Sequence, residues 1–317
     1  MGEDAVIQDT LMGFSNGTQQ NEPTRGGGLA QAIERHAETV RSHKRPLTGG
    51  VTSLPLSDDG MPLLSLNDSR VSLSEMVLSK ENRDILLELI HEHRMRDLLA
   101  AHGLRPRRRL LLAGPSGTGK TQTAEALAYE LGIPIARVRL AAVVSSYLGQ
   151  TARHIEKILE FAKRGTLVLS FDEIDMLASD RNGSDNGEIR RVVTVILQEL
   201  ETYSSDNLVV ATTNHGDLLD AALWRRFDEI LTYKHPTQEQ IYQLLKLKLR
   251  RAKHLKVNRE QAAKTLHGLS HAQIESVCLD ALRRNILSGE EYLTTGDIVE
   301  CANSRKKRLR EAGQTEK

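Results

Sequence analysis

A run of apolar residues followed by a helical repeat marks the middle of this 317-residue chain. The segment 109–113, Arg-Leu-Leu-Leu-Ala, is typical of a short buried strand. Beyond it, apolar residues recur at helical spacing up to Gly132, and glycine commonly ends a helix. These residues are Ala124, Leu127, Ala128 and Leu131. The pattern predicts a strand and a helix joined by a short polar loop.

The alternation of strand and helix continues along the chain. Further strands are predicted at 133–140, 166–171 and 208–212, and further helices at 151–163 and 189–200. Strands that alternate with helices form a parallel sheet covered by helices on both faces. We therefore predict an α/β fold.

The N-terminal part of the chain has a weaker pattern. Residues 1–27 are polar and glycine-rich, and we expect them to lack fixed structure. Residues 29–44 are compatible with one helix, and 45–70 carry the prolines and glycines of a connecting segment. Residues 72–101 have a helical pattern that leads into the strand at 109–113.

After Pro236 the pattern predicts helices only. Their expected ranges are 237–253, 258–267, 270–288 and 295–312. We therefore predict three parts, namely a flexible N-terminal segment with one helix (1–71), the α/β domain (72–236) and a small all-α domain with a basic tail (237–317).

Composition fits a cytoplasmic protein. The 43 basic and 42 acidic side chains nearly balance, so the overall charge does not indicate a nucleic-acid partner. The two cysteines, Cys278 and Cys301, belong to no CxxC pair and are interpreted as buried thiols. No apolar run reaches the length of a membrane span, and the N-terminus lacks the features of a secretion signal. The basic segment 305–310 has no interleaved aromatic residues, which favours a solvated helix end over nucleic-acid binding.

The loop between the first strand and helix carries the clearest chemistry. It fits the phosphate-binding pattern G-x-x-x-x-G-K-[ST] and consists of Gly114, Pro115, Ser116, Gly117, Thr118, Gly119, Lys120 and Thr121. Glycines let backbone N–H groups turn toward phosphates, and the helix N-terminus adds positive potential. Lys120 can reach the β- and γ-phosphates, and the Thr121 hydroxyl can ligate Mg²⁺. The sequence therefore predicts a nucleoside triphosphate site of the P-loop type.

Two carboxylates follow the strand predicted at 166–171. Asp172 and Glu173 would lie at the carboxyl edge of the sheet, where ligands of such folds bind. Asp172 can hold Mg²⁺, and Glu173 can orient and polarise an attacking water. Asp175 is also compatible with a simple helix start. The pair favours hydrolysis over binding alone.

Three further polar residues come after the next strand. Asn214 could hydrogen-bond the γ-phosphate or the attacking water, although asparagine is also common in such turns. Arg225 and Arg226 stand beside Trp224 and Phe227, and their planar donors suit a developing phosphoryl charge. Pairing of these arginines with surface carboxylates is the alternative.

In this order and at this spacing, the motifs resemble those of the AAA ATPases within the AAA+ class. The resemblance covers about residues 72–300 and rests on segments 114–121 and 167–175, Asn214 and the Arg225–Phe227 segment. It implies a ring-forming, usually hexameric motor that couples ATP hydrolysis to remodelling of protein substrates. It also implies that Asn214 senses the γ-phosphate. Arg225 and Arg226 would be arginine fingers that enter the neighbouring subunit's ATP site.

The resemblance also assigns the segment 145–151 to a central-pore loop. Tyr147, Leu148 and Gly149 match its aromatic, aliphatic and glycine positions. An aromatic and an aliphatic side chain can pack on most residues of an extended polypeptide, which suits a grip that ignores sequence. An ordinary exposed tyrosine is the alternative. The interpretation as a pore loop favours protein over nucleic acid as the substrate.

Two departures from the family pattern affect these assignments. The chain lacks the usual insert before Arg-Phe-Asp, and Glu229 stands where a further arginine is common. In this respect it is similar to microtubule-severing and endosomal-sorting ATPases, in which two adjacent arginines serve as the arginine fingers. His271 stands where the family's lid helix usually begins with glycine, so an adenine contact at that position is not assigned.

The sequence therefore predicts an ATPase that uses ATP and Mg²⁺, assembles with itself and unfolds or remodels proteins. The chain carries no protease motif, whereas similar stand-alone AAA ATPases accompany a serine protease, so a separate serine protease is a candidate partner. A DNA-handling ATPase of the same class and a slow nucleotide-switched scaffold are the alternatives.

Overall fold

The structure, a computed structural model, contains a mostly parallel sheet formed by strands between residues 64 and 232. It describes residues 53–143, 148–175, 196, 198–201, 203, 205–214, 225–250, 252 and 254–311. Within them, the sheet has six strands in the order β1-β3-β4-β5-β2-β6, and all neighbours are parallel except β1 and β3. The strands are β1 (Leu64–Asn67), β2 (Arg109–Ala113), β3 (Ile135–Val138), β4 (Val168–Phe171), β5 (Leu208–Thr213) and β6 (Glu229–Thr232).

Helices pack on both faces of this sheet, as predicted. They are α1 (Lys80–Arg94), α2 (Arg96–Ala101), α3 (Lys120–Leu131), α4 (Leu140–Val143) and α5 (Leu148–Lys163). Alternate residues of β2 belong to different cores, with Leu110 and Leu112 in one hydrophobic cluster and Leu111 in the other. All three are fully buried, which explains why β2 reads as an uninterrupted apolar run.

The region after Pro236 is helical. It contains α6 (Gln238–Lys248), α7 (Arg259–Leu266), α8 (His271–Ser288) and α9 (Thr295–Glu311), which surround a third hydrophobic cluster. Capping boxes begin α6 at Thr237 and α8 at Ser270. In each, the cap hydroxyl accepts from the backbone N–H three residues on, and the glutamine there bonds back to the cap N–H. Cys278 and Cys301 are free, buried thiols of this cluster.

The expectation of helices only after Pro236 was wrong in one detail. Two short strands, β7 (Leu255–Lys256) and β8 (Leu293–Thr294), pair in parallel between the helices. A two-residue strand is too short to show an alternating pattern. The predicted domain boundary at residue 236 stays a prediction.

The helical pattern at 72–101 is broken in the structure. Leu73–Glu75 forms a 3-10 turn, and α1 begins only after Ser79, whose side chain accepts from the backbone N–H of Asn82. Because a serine cap competes with the helix that would precede it, residues between the turn and the cap can leave the helical path. Val77 lies in this break.

Two strands lie outside the predicted set. β1 lies within the predicted connecting segment 45–70, although its Leu64 is fully buried and pairs with Val138 of β3. β6 adds the last strand beside β2. Each is four residues long, so periodicity alone does not reveal it.

Some predictions fall outside the described residues. These are the N-terminal segment up to residue 52, with the helix at 29–44, and most of the helix at 189–200. In the part of the chain that the structure describes, no helix is long and apolar enough to cross a membrane.

Candidate nucleotide-binding site

The glycine loop lies between β2 and α3 and fits closely against β6. Gly114 has φ 148°, and a Cβ atom there would lie 2.2 Å from the carbonyl oxygen of Tyr233. Glycine is therefore required by both conformation and space. The Tyr233 backbone N–H also donates to Ala113 O at 2.7 Å, which fixes the chain after β6 to the start of the loop.

Lys120 folds back over the loop. Its Nζ donates to the carbonyl oxygens of Gly114 (2.6 Å) and Pro115 (2.8 Å) and to Oδ1 of Asn214 (2.9 Å). Burial lowers the pKa of the ammonium group, and the nearby carboxylates of Asp175 and Glu173 oppose part of that effect. A cation is thus held at the loop by carbonyl and amide oxygens, close to where the phosphates of a nucleotide would lie.

Thr121 and Asp172 form an oxygen pair beside Lys120. The Thr121 hydroxyl donates to Asp172 Oδ1 at 3.0 Å, which joins the first turn of α3 to the end of β4. A hydroxyl and a carboxylate oxygen at this separation are ligands that suit Mg²⁺, which usually takes few protein ligands and completes its shell with phosphates and water. The two residues therefore fit the predicted magnesium site. When bound there, Mg²⁺ would neutralise phosphate charge.

Glu173 has an unusual backbone conformation. Its φ is 52°, which for a residue with a side chain costs roughly 1–2 kcal/mol. The strain is offset because its backbone N–H donates to the hydroxyl of Thr212 at 2.8 Å. Its Oε1 atom lies 3.5 Å from Asn214 Nδ2, at the limit of a hydrogen bond. The carboxylate thereby faces the same space as Lys120.

Asn214 connects the residues around the phosphate position. Its side chain accepts from Lys120 and faces Glu173, and its backbone N–H donates to Asp175 Oδ1 at 2.9 Å. The sequence left open whether Asp175 only begins a helix, and the structure gives its carboxylate this contact with Asn214. The sequence-predicted residues Lys120, Glu173 and Asn214 therefore meet at one point.

The cavity extends from the loop to the helical region. Its described lining includes Lys120, Thr121, Glu173 and Asn214 at one end. At the other end it includes Met76, Val77, Leu244, Lys248, His271, Ala272 and Glu275. His271 and Ala272 belong to the segment 268–274, which resembles the start of the family's lid helix. The other residues at this end were not predicted, since the break in the helical pattern around Val77 and the packing of α6 and α8 depend on tertiary contacts. This end combines the apolar side chains of Met76, Val77 and Leu244 with the Lys248–Glu275 ion pair. Apolar surface with a few polar groups, facing a polar phosphate end, suits a nucleoside.

The start of α8 rests on the glycine loop. The backbone N–H of Ala272 donates to Gly117 O at 3.0 Å, and a Cβ atom on Gly117 would lie 2.7 Å from Ser270 Oγ. Burial, with a smaller contribution from His235, lowers the pKa of His271 to about 4. This histidine is therefore neutral near pH 7.

The two arginines lie apart from this cavity. Arg225 is exposed. Arg226 is partly buried and pairs with Glu201 at 3.3 Å. Neither belongs to the described residues that line the cavity. Tyr147, which the sequence predicts to be a pore residue, lies outside the described residues, and Leu148 and Gly149 begin α5.

The fold and the loop define a P-loop nucleoside triphosphatase. Residues 110–234 match the family described as "ATPase family associated with various cellular activities (AAA)". The chain is 40% identical over 226 residues to an "uncharacterized AAA family ATPase y4kL" of Sinorhizobium fredii, with 71% of this chain and 68% of that protein covered. The chain therefore belongs to the AAA family of ATPases, which confirms the resemblance seen in the sequence.

Other relatives are named proteasome-activating nucleotidases. The protein of Methanococcus vannielii is 32% identical over 212 residues, which are 64% of this chain and 52% of that protein. The protein of Aeropyrum pernix is 32% identical over 238 residues, which are 72% of this chain and 57% of that protein. The chain thus spans about half the length of these nucleotidases.

Proposed function

We propose that this AAA ATPase is a protein-remodelling motor that works as a ring of identical subunits, a hexamer by the sequence resemblance. The observation that carries the proposal is the convergence of Lys120, Glu173 and Asn214 at the glycine loop, which supports hydrolysis rather than binding alone. The similarity to proteasome-activating nucleotidases supports proteins as the substrates.

Each residue has a role in this proposal. Lys120 holds the β- and γ-phosphates, and Thr121 and Asp172 hold Mg²⁺. Glu173 orients the attacking water and accepts its proton, while Asn214 positions Glu173 relative to the γ-phosphate. The exposed position of Arg225 leaves its side chain accessible to a neighbouring subunit, where it would stabilise phosphoryl charge with or without Arg226.

The substrate is gripped, in this proposal, by the segment that carries Tyr147. The described residues on either side of that segment, Val143 and Leu148, end α4 and begin α5. The segment follows α4, and α4 follows β3. β3 pairs with β4, the strand that Asp172 and Glu173 directly follow.

An unfolding assay tests the proposal. The full chain is mixed with a stable fluorescent protein that has an unstructured tail, and fluorescence loss is followed with ATP. We expect ATP-dependent loss for the unmodified chain, little for Tyr147→Ala, and recovery with Tyr147→Phe, which keeps the aromatic ring. Glu173→Gln should reduce ATP hydrolysis by about 100-fold or more while ATP still binds.

Two results would contradict this function. If hydrolysis is stimulated by DNA but not by unfolded protein, and Tyr147→Ala has no effect, the ATPase handles DNA. If Glu173→Gln hydrolyses ATP at the normal rate, the assignment of Glu173 is wrong. A separate serine protease as partner is part of the proposal, and we expect one to co-purify with the Glu173→Gln variant, which holds ATP without hydrolysing it.

A further inference from the structure

The hydroxyl of Thr212 joins the two acidic residues that follow β4. It accepts from the Glu173 N–H at 2.8 Å and donates to Asp172 Oδ1 at 2.7 Å. The side chain is completely buried. An ionised carboxylate only accepts, so the single hydroxyl hydrogen must point to Asp172 and a lone pair is left for Glu173. One hydroxyl therefore contacts both acidic residues at once.

The sheet register explains this contact. Phe171, the last residue of β4, is paired with Ala211 of β5. Asp172 follows Phe171, and Thr212 follows Ala211, so the carboxylate and the hydroxyl are neighbours. Thr212 is held within β5, which lies between β4 and β2, so its position is fixed by the centre of the sheet.

Thr212 also fixes the direction of the Glu173 side chain. Among the described residues, Glu173 is the one non-glycine residue with positive φ, and its N–H bond to Thr212 holds that conformation. The backbone conformation determines where the carboxylate points, which is toward Asn214 Nδ2. A relaxed backbone at Glu173 would turn the carboxylate away from Lys120 and Asn214.

We propose that Thr212 is a positioning residue for ATP hydrolysis, which orients the Glu173 carboxylate toward the attacking water and the Asp172 carboxylate toward the magnesium position. The inference rests on the hydrolytic part of the proposed function and is independent of the protein substrate. Thr212 does not itself contact the reacting atoms in this role.

Two variants separate the hydroxyl from the shape of the side chain. Thr212→Val keeps the shape and removes both hydrogen bonds, and Thr212→Ser keeps the hydroxyl. We expect Thr212→Val to lower kcat for basal ATP hydrolysis by about 10-fold to 100-fold. Thr212→Ser should remain close to the unmodified chain. ATP affinity in the absence of Mg²⁺ should not change, because the glycine loop and Lys120 are intact.

Calorimetric ATP binding adds a readout that does not depend on turnover. The gain in ATP affinity on adding Mg²⁺ should shrink in Thr212→Val and persist in Thr212→Ser. The reason is that Thr212 donates the shorter of the two hydroxyl hydrogen bonds to Asp172 Oδ1, and the other comes from Thr121, which is itself an expected Mg²⁺ ligand. Ser170→Ala is the matched control, since Ser170 is a buried residue of β4 whose hydroxyl has no hydrogen-bond partner. It should change neither kcat nor the effect of Mg²⁺. If Thr212→Val does not fold, Thr212→Ala is compared with Thr212→Ser in the same way.

The inference is overturned if Thr212→Val keeps normal kcat, or if Thr212→Ser loses as much activity as Thr212→Val. It is also overturned if the effect of Mg²⁺ on ATP affinity is the same in all variants. Glu173→Gln, measured alongside, distinguishes a failure of the proposed hydrolytic role of Glu173 from a failure of the role of Thr212. Should Glu173→Gln be active, the proposed hydrolytic role fails; should it be inactive while Thr212→Val is active, only the role of Thr212 fails.

Discussion

Lys120 Nζ lies 2.9 Å from Asn214 Oδ1, so a side chain from the first turn of α3 and one from the end of β5 are joined by a direct hydrogen bond. The same asparagine amide faces Glu173 through its nitrogen. A single side chain thus contacts both the residue expected to hold phosphate and the residue expected to orient water.

Asn214→Ala should slow hydrolysis more than it weakens binding. Removing one preorganised polar contact at a reacting centre costs about 100-fold in kcat, whereas the loop carbonyls still hold Lys120. Steady-state kinetics and ATP binding by calorimetry measure the two effects. An equal loss in kcat and in ATP affinity would show that Asn214 serves only to hold Lys120.

Arg225 should act on a neighbouring subunit. Lys120→Ala chains and Arg225→Ala chains are each expected to be inactive, with a loss of about 1,000-fold for the arginine. A mixture should regain hydrolysis, because an intact loop in one chain meets an intact Arg225 in the next. Hydrolysis rates of the mixtures measure this.

The control for that mixture is a chain that carries both Lys120→Ala and Arg225→Ala. Mixed with Arg225→Ala chains, it should restore nothing. Absence of recovery in the first mixture, although mixed rings form, would mean that Arg225 does not reach across subunits. Arg226→Ala is compared separately, since its ion pair with Glu201 gives it a partner within its own chain.

The free energy of unfolding should decrease as the pH is lowered, because of His271. Its pKa is about 4 in the folded chain and near 6.5 in the unfolded chain, so between these values only the unfolded chain binds the proton. Lowering the pH from about 6.5 to about 4 should therefore remove on the order of 3 kcal/mol of unfolding free energy. Denaturant unfolding at several pH values measures it.

The comparison is between His271→Gln and His102→Gln. The first should flatten the pH dependence of the unfolding free energy, and the second, at an exposed position, should not. Equal slopes for all three chains would show that the burial of His271 does not contribute to acid sensitivity.

Gly114→Ala should be far more damaging than Gly132→Ala. Both glycines have positive φ, but only at Gly114 would the added Cβ meet backbone, 2.2 Å from Tyr233 O. At Gly132 nothing lies within 4 Å, so we expect a loss of roughly 1 kcal/mol from the left-handed conformation alone. Thermal unfolding and ATP binding should both be impaired in Gly114→Ala, and similar melting temperatures for the two variants would contradict the steric argument.

The sequence predicted those parts of the site that depend on local pattern. The apolar run of β2, the glycine loop and the helix ending at Gly132 are contiguous, and the structure has them at the predicted places. Asp172 and Glu173, after β4, were predicted to lie at the carboxyl edge of the sheet, where ligands of such folds bind. Asn214, after β5, was predicted as a possible hydrogen-bond partner of the γ-phosphate or the attacking water.

Features that depend on distant contacts were missed. β1 pairs with β3 across about 70 residues, and its own sequence alternates too briefly to be distinguished from a loop. Thr212 gave a visible sign, since it is a hydroxyl at the end of an apolar strand, but its importance depends on the register between β4 and β5. Val77, which lines the cavity, lies in the break before the helix that Ser79 begins.

The contact between Tyr233 and Gly114 has a mechanical consequence. The chain passes from the sheet to the helices after Pro236 close to the phosphate loop, and α8 begins against the same loop. A tilt of these helices would therefore pivot beside the phosphate position. α8 has 18 residues and is about 27 Å long. A tilt of about 10° around its start at the loop would move its far end by about 5 Å, given that length. A small rotation at the phosphate loop would therefore become a displacement of several ångströms at the far end of α8.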